Sequence, residues 1–327
     1  MPTAQLYRYK LPIETGVVLR HRRLKYREGL LICLTERGKT GWGEIAPLPE
    51  FSQEDLATAE QQTKEWIRHW QQGITLDLEQ FAPSVAFGIS CALAELHGEL
   101  GEQGNYRTAP LCYGDPDELY EKLSQMRGEK VAKMKVGLYE ANRDGLIANL
   151  FLDAIPDLKL RLDANRMWSL EKALLFASKI SAENRKRIQF IEEPCQTPDF
   201  SRQFAEKTGI AIAWDETVRE PDFIVQSEPN LTAIVIKPTL VGSIQKCVSL
   251  IEQAHSQGLQ AVISSSIESS LGLTQLARLA YQYTPNSTPG LDTLNLMQHQ
   301  LLRKWQGSEL PLIVLENKHV ADYLIKI

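Results

Sequence analysis

Three things are scarce in this chain of 327 residues, and each scarcity removes a class of protein. Cysteine is the first: Cys33, Cys91, Cys112, Cys195 and Cys247 are scattered, odd in number and never spaced as CxxC. That pattern builds neither a zinc centre nor a disulfide framework, and reduced thiols in a cytoplasmic setting are expected instead. The six histidines are equally dispersed, which argues against an imidazole-based metal site. Long apolar runs are the second shortage. No window approaches about 18 continuous apolar residues, and the opening MPTAQLYRYKLPIETG lacks the apolar centre of a secretory leader, so neither leader nor membrane span is expected. Positive charge is the third: 36 Lys and Arg against 41 Asp and Glu leave a net charge of −5, a poor match for a nucleic-acid partner.

What remains is the composition of a globular protein, 43% hydrophobic and 24% charged, long enough for a barrel with a small second domain. Residues 1–103 read as α+β. AQLYRYKLPI and GLLICLTERGKTGWGEIAP have strand character, with RGKTG as a hairpin turn. A helix is expected over SQEDLATAEQQTKEWIRHW with Ser52 as N-cap, and a buried one over PSVAFGISCALAELHGEL, which opens on Pro83. Over 104–300 short apolar runs alternate with helical segments, the order of βαβ units and a parallel sheet that suits a closed α/β barrel. Residues 301–327, with LIVLE, are expected to leave the barrel and pack back on the N-terminal domain.

The strands of the barrel region end in an unusual way. LKLRLDAN finishes on Asp163, IQFIEEP on Glu192 and Glu193, and AIAWDET on Asp215 and Glu216. One strand-end acid is ordinarily paired with a loop cation. Three in succession, each closing an apolar run at the C-terminal end where barrel sites are built, point to a common purpose. Neighbouring strands lie about 4.8 Å apart, so the three carboxylates can converge, and their repulsion calls for a cation. An all-oxygen set selects a hard ion, Mg²⁺ first and Mn²⁺ as the alternative.

Lysines flank these acids. VAKMKVG sets Lys133 and Lys135 two apart on one strand face, and AIVIKPT ends on Lys237. A lysine beside a divalent ion and other ammonium groups has its charged form disfavoured, which turns it into a base near neutral pH. Base and metal together suit removal of a proton α to a carboxylate, because the metal stabilises the charge that develops.

The runs VAKMKVGL, RLDANRMW, FIEEPCQTPDF, IAWDETVREPDF, IVIKPTLVGS and ISSSIESSLGLTQLA resemble the muconate-lactonizing branch of the enolase superfamily. The similarity extends from GWGEIAPLPEFSQEDL through TPGLDTLNLM, nearly the whole chain. It implies an α/β fold, a modified TIM barrel (β/α)7β with an N-terminal α+β capping domain. It implies Asp163, Glu192 and Asp215 as Mg²⁺ ligands, and Lys135 as the acid/base that takes an α-proton and returns it to a departing hydroxyl. Lys237 would be a cation across the substrate ring, and Lys133 would hold the site's electrostatics and help depress the pKa of Lys135. Ser264, the backbone of Gly290 and Arg161 would face a small-molecule dicarboxylate substrate, while Asn165 and Glu216 would stand behind the ligands. Within the branch, the wording RLDANRMW and SSSIESSLGLTQLA is closest to the dehydrating member of menaquinone or phylloquinone biosynthesis. A racemase, a dipeptide epimerase and a cycloisomerase share the same half-reaction and stay open as alternatives. A Schiff-base aldolase acting through Lys237 has no use for three acids, and a non-catalytic binding barrel predicts that Lys135→Ala leaves ligand affinity and every readout unchanged. The oligomeric state is left open, and a monomer is compatible with it.

Two further stretches carry weaker expectations. The basic run LRHRRLKYREG, with Arg20, His21, Arg22, Arg23, Lys25 and Arg27, reads as a solvated loop or as a lid that attracts an anion. IAPLPEF reads equally as a stiffer lid or as an interface turn, and Trp42, Trp168 and Trp214 are expected in the core.

Overall fold

The computed structural model describes residues 2–14, 18–19, 22–112, 116–317 and 320–327. It divides into two compact units: Met1–Arg107 with Lys237–Ile251 and Ile263–Ile327, and Thr108–Ile236 with Glu252–Val262. Among the described residues no helix is long and apolar enough to cross a membrane.

The first unit begins with β1 (Thr3–Pro12), a short antiparallel pair β2 (Val18–Leu19) and β3 (Arg22–Arg23), then β4 (Tyr26–Glu36) and β5 (Lys39–Ile45). β4 and β5 form a hairpin turning at Arg37 and Gly38, both at positive φ (50° and 77°), as the RGKTG stretch leads one to expect. Helix α1 (Leu56–Gln71) starts three residues later than expected from Ser52. Asp55 is its N-cap, accepting from the Thr58 amide at 2.8 Å, whereas Ser52 Oγ accepts from the Leu48 amide in the preceding turn. Helix α2 (Pro83–His97) is buried along most of its length and lies against β5, their backbones nearly touching at Gly43 and Gly88. A Cβ on Gly43 would stand 1.8 Å from the Gly88 carbonyl oxygen, so glycine is required where the two backbones touch.

The second architecture is a sheet of seven strands in the order β12-β11-β10-β9-β8-β7-β6. The strands are β6 (Leu111–Cys112), β7 (Lys130–Lys135), β8 (Leu158–Asp163), β9 (Ile188–Glu192), β10 (Ile212–Trp214), β11 (Leu231–Ile236) and β12 (Gln260–Ile263). Pairing is parallel from β6 through β11. Between them run α3 (Pro116–Ser124), α4 (Ala141–Ala154), α5 (Leu170–Ser178), α6 (Ala182–Arg185), α7 (Pro198–Thr208), α8 (Pro238–Val241) and α9 (Ile244–Ser256). Phe190, Ala213, Ala233, Val235 and Val262 pack into one buried layer. Side chains two residues further along a strand point the same way, so Glu192 and Asp215 rise directly above that apolar layer.

After β12 come α10 (Ser270–Tyr283), the parallel pair β13 (Gln300–Leu301) and β14 (Leu312–Ile313), and β15 (Leu324–Lys326). LIVLE supplies β14, and Leu315 packs against the cluster holding Tyr7, Tyr9 and Leu11. It is β15 that joins β1 antiparallel, pairing Tyr7 with Lys326.

A buried carboxylate ties the first unit together. Glu95 accepts from Arg303 at 2.6 and 2.8 Å, from Gln275 at 2.8 Å and from the Trp42 amide at 3.1 Å. Burial raises its pKa, but the Arg303 guanidinium and the other donors outweigh that and hold it below the usual glutamate range. A depressed carboxylate pKa contributes stability above the unfolded-state value and loses it as pH falls through the folded one. Arg303→Met is therefore expected to cost about 2 kcal/mol at pH 7, short of a fully buried pair because Arg303 is part exposed. The gap to the parent should narrow in urea unfolding as pH falls through the acid range; a gap independent of pH would contradict this account.

Candidate active site

The KxK spacing works as anticipated. Lys133 and Lys135 both reach Asp163 Oδ2, each from 2.9 Å, and Lys133 also donates to Glu192 Oε2 at 2.7 Å. The register explains this: Lys135 sits opposite Asp163, and Asp163 opposite Glu192, on three adjacent strands. Asp163, Glu192 and Asp215 are almost wholly buried at 1%, 2% and 1% exposure. Burial pulls the Lys133 ammonium down, but Asp163 and Glu192 outweigh it and hold its pKa above the ordinary lysine range. Lys133 is thus stabilised as a cation by the two acids it bridges.

Asn165 belongs to the same cluster. Its Oδ1 accepts from Lys135 Nζ at 2.5 Å, its amide donates to Asp163 Oδ1 at 3.2 Å, and its Nδ2 donates to Glu216 Oε1 at 3.4 Å. Asp215 follows β10, with Arg219 Nη2 at 3.9 Å from its Oδ1. Arg161 lies one layer deeper than Asp163, buried over the Phe190 ring at 5.2 Å and donating to Gln189 at 2.7 Å. Desolvation pushes its pKa down to about 10 against the pull of Glu192 and Glu129.

In the first unit, Lys237 follows directly on β11 and its carbonyl accepts from the Leu240 and Val241 amides. Ser264 pairs with Gly290 in a parallel bridge, and Ser264 Oγ donates to the Gly290 carbonyl at 3.2 Å. A Cβ on residue 290 would meet that Oγ at 2.7 Å, so glycine is needed for the approach.

Among the described residues no three acids meet in a geometry ready to hold an ion as the side chains stand. The donor set nonetheless fits one. Oxygens of Asp163 and Glu192 converge on a single ammonium, which marks a place where positive charge is held, and the acids on successive strand ends are hard ligands.

The roles of several residues escaped sequence reasoning. Glu193, fully buried, accepts from the Asp215 and Thr217 amides with Oε1 and from Arg166 with Oε2. Glu44 accepts from Tyr9 Oη, the Ser269 amide and hydroxyl and the Gly272 amide, placing a carboxylate at the N-terminus of α10. Arg27, part of the basic run, is buried rather than solvated: it donates to the carbonyls of Ala46, Pro47, Glu28 and Ile267. Two of those carbonyls, Ala46 and Pro47, belong to IAPLPEF, while Arg23 and Lys25 are exposed and Arg20 and His21 lie outside the described residues. Trp168 and Trp214 are buried, and Trp42 stacks on Tyr7 at 6.0 Å between centroids.

Residues 117–310 match the family described as enolase C-terminal domain-like, and residues 1–96 match the MenC N-terminal domain. The structure is similar to an o-succinylbenzoate synthase of Thermosynechococcus elongatus solved with Mg in its active site. Their TM-score is 0.70 at 24% identity, covering 88% of this chain and 92% of that one. It is also similar to the L-Ala-D/L-Glu epimerase of Bacillus subtilis, TM-score 0.73 at 21% identity over 90% of each chain. The fold is accordingly the modified TIM barrel with an N-terminal α+β capping domain that the sequence led us to expect. Curated proteins named o-succinylbenzoate synthase are much more similar in sequence. That of Haemophilus influenzae is 63% identical over 98% of both chains, and that of Pasteurella multocida 62% identical over 97% of this chain and 96% of its own. The chain belongs to the o-succinylbenzoate synthase family.

Proposed function

We propose that the chain is a hydro-lyase that removes water from 2-succinyl-6-hydroxy-2,4-cyclohexadiene-1-carboxylate by syn elimination, giving 2-succinylbenzoate for menaquinone or phylloquinone biosynthesis. The observation that carries the site assignment is the meeting of two lysines from one strand at Asp163 Oδ2, itself the register neighbour of Glu192. Asp163, Glu192 and Asp215 would hold Mg²⁺. A divalent ion there stabilises the negative charge that develops on the substrate carboxylate as its α-proton leaves.

Lys135 Nζ, as the neutral amine, takes the α-proton; the C–H bond breaks and its electron pair is delocalised into the carboxylate and ring. The ammonium so formed lies on the face of the departing hydroxyl and returns the proton to it as the C–O bond breaks. Water leaves and the ring becomes aromatic. Lys133, committed to Asp163 and Glu192, keeps those oxygens in place. Lys237 adds positive charge across the ring, and Ser264 with the Gly290 backbone receives a substrate carboxylate. Arg161 would face the substrate from one layer deeper, and Asn165 and Glu216 would stand behind the ligands. The setting is cytoplasmic, and Mn²⁺ is expected to substitute for Mg²⁺ at the same hard oxygens.

The test is an assay of the purified protein with the cyclohexadiene substrate and with N-succinylamino acids, each with and without EDTA. Formation of 2-succinylbenzoate, abolished by EDTA and restored by Mg²⁺, is the expected result. Turnover of the amino acids alone would replace this reading with a racemase.

A further inference from the structure

We infer that Glu193 and Arg166 form a brace that sets the spacing of the three site acids, and that they act as positioning residues for the metal. The inference rests on the reading of Asp163, Glu192 and Asp215 as ligands. Every polar group of Glu193 is spent on a neighbouring strand end. Its amide donates to the Ala213 carbonyl at 3.1 Å, and its carbonyl accepts from the Arg166 amide at 2.8 Å. Its Oε1 accepts from the Asp215 amide at 3.1 Å and the Thr217 amide at 2.8 Å, and its Oε2 from Arg166 Nε at 3.0 Å. Arg166 completes the span with Nη2 donating to Thr217 Oγ1 at 2.6 Å and Glu220 Oε1 at 2.7 Å.

One side chain therefore grips the backbone of the third acid, while its own main chain immediately follows the second. Arg166, three residues after the first acid, closes the loop. The backbone bears the mark of this arrangement: Asn165, Arg166 and Glu193 all adopt positive φ (43°, 60° and 40°) although none is glycine, and such conformations persist where surrounding contacts over-determine them. The charges are also apportioned. Arg166 neutralises the buried Glu193, so the brace adds no uncompensated negative charge beside three acids that already repel one another. Nothing in this assembly is free to touch a substrate through Glu193, which is fully enclosed.

Residues that orient ligands typically change metal affinity by 10–100-fold when lost. Glu193→Ala is expected to raise the Mn²⁺ Kd, read by electron paramagnetic resonance titration of the metal-free protein, by about tenfold or more. It should also recover much of its kcat at saturating Mg²⁺, because no reacting group has been removed. Arg166→Met keeps the bonds from Glu193 to Asp215 and Thr217, so its Kd should rise less. Thermal melting accompanies each titration, and Asp215→Asn serves as the control. If Asp215→Asn binds Mn²⁺ as the parent does, the ligand assignment itself fails. If Asp215→Asn loses the ion while Glu193→Ala keeps the parental Kd, the brace alone is wrong. Should Glu193→Ala fail to fold, Arg166→Met decides by the same titration, an unchanged Kd overturning the inference.

Discussion

Lys135→Ala is expected to lower kcat by roughly 10³–10⁴-fold with the cyclohexadiene substrate, the upper part of the range for a positioned acid/base, because the proposed mechanism uses one group for both proton transfers. Two lysines meet Asp163, and the structure distinguishes them. Lys133 is wedged between Asp163 and Glu192 with its side chain 12% exposed, both of its contacts being to acids. Lys135 is 36% exposed, touches Asp163 only from one side and otherwise rests on the neutral amide of Asn165. It is the lysine that a substrate can approach and that can exchange a proton without stripping two buried carboxylates of their partner. Lys135→Arg should be about as inactive as the alanine variant, since a guanidinium keeps its proton at any working pH. The measurement is kcat at saturating Mg²⁺ alongside Mn²⁺ affinity, which should fall little in either variant. Retention of more than about a tenth of parental kcat by Lys135→Ala would remove Lys135 from the proton-transfer role, since general acid–base catalysis contributes at least 10²-fold.

What the sequence disclosed, and what it hid, divides along the range of the interactions. The alternation of apolar runs with helical segments is a local signal, and it led to the barrel because strand period and helix period are both set by the backbone. The lysine–acid cluster was legible for the same reason: a spacing of two on one strand fixes a shared face, and adjacent parallel strands bring Lys135, Asp163 and Glu192 opposite one another. The brace was not legible. Glu193 reaches amides 22 and 24 residues away, and Arg166 reaches residues 27 to 54 away. No composition or periodicity records such pairings, and the positive φ values at Arg166 and Glu193 occur without the glycine that would have announced them. Arg27 was hidden differently. It lies in a run of cations that reads as solvated, yet its partners are all main-chain carbonyls, which every residue carries and no sequence pattern marks. The start of α1 failed on a finer scale: Ser52 and Asp55 are both good caps, and Ser52 Oγ is taken by the Leu48 amide in the preceding turn.

Asp163→Asn carries the second large effect, and it separates the ligand reading from the brace. The carboxylate does three things in this structure: Oδ2 accepts from Lys133 and from Lys135, and Oδ1 accepts from the Asn165 amide. An amide in its place accepts through one oxygen only, so its NH₂ must oppose either the two ammoniums at the Oδ2 position or the Asn165 amide at Oδ1, and in either case the neutral group holds Lys135 more weakly than the carboxylate does. The negative charge offered to a divalent ion falls at the same time, and neutral oxygens are far poorer partners for Mg²⁺ than carboxylates. Both consequences strike the reaction directly, so kcat is expected to fall by about 10⁴-fold, comparable with the loss on removing acid/base and electrostatic stabilisation together. Added Mg²⁺ should not recover it. That contrast is the diagnostic point: Glu193→Ala leaves every reacting group in place and is expected to respond to metal concentration, whereas Asp163→Asn removes charge from the site and weakens its hold on Lys135. Titrating activity against Mg²⁺ in both variants tests the two statements together. Recovery of Asp163→Asn to near-parental kcat at high Mg²⁺ would mean that the carboxylate contributes affinity alone, and the role assigned to it in holding Lys135 would fall.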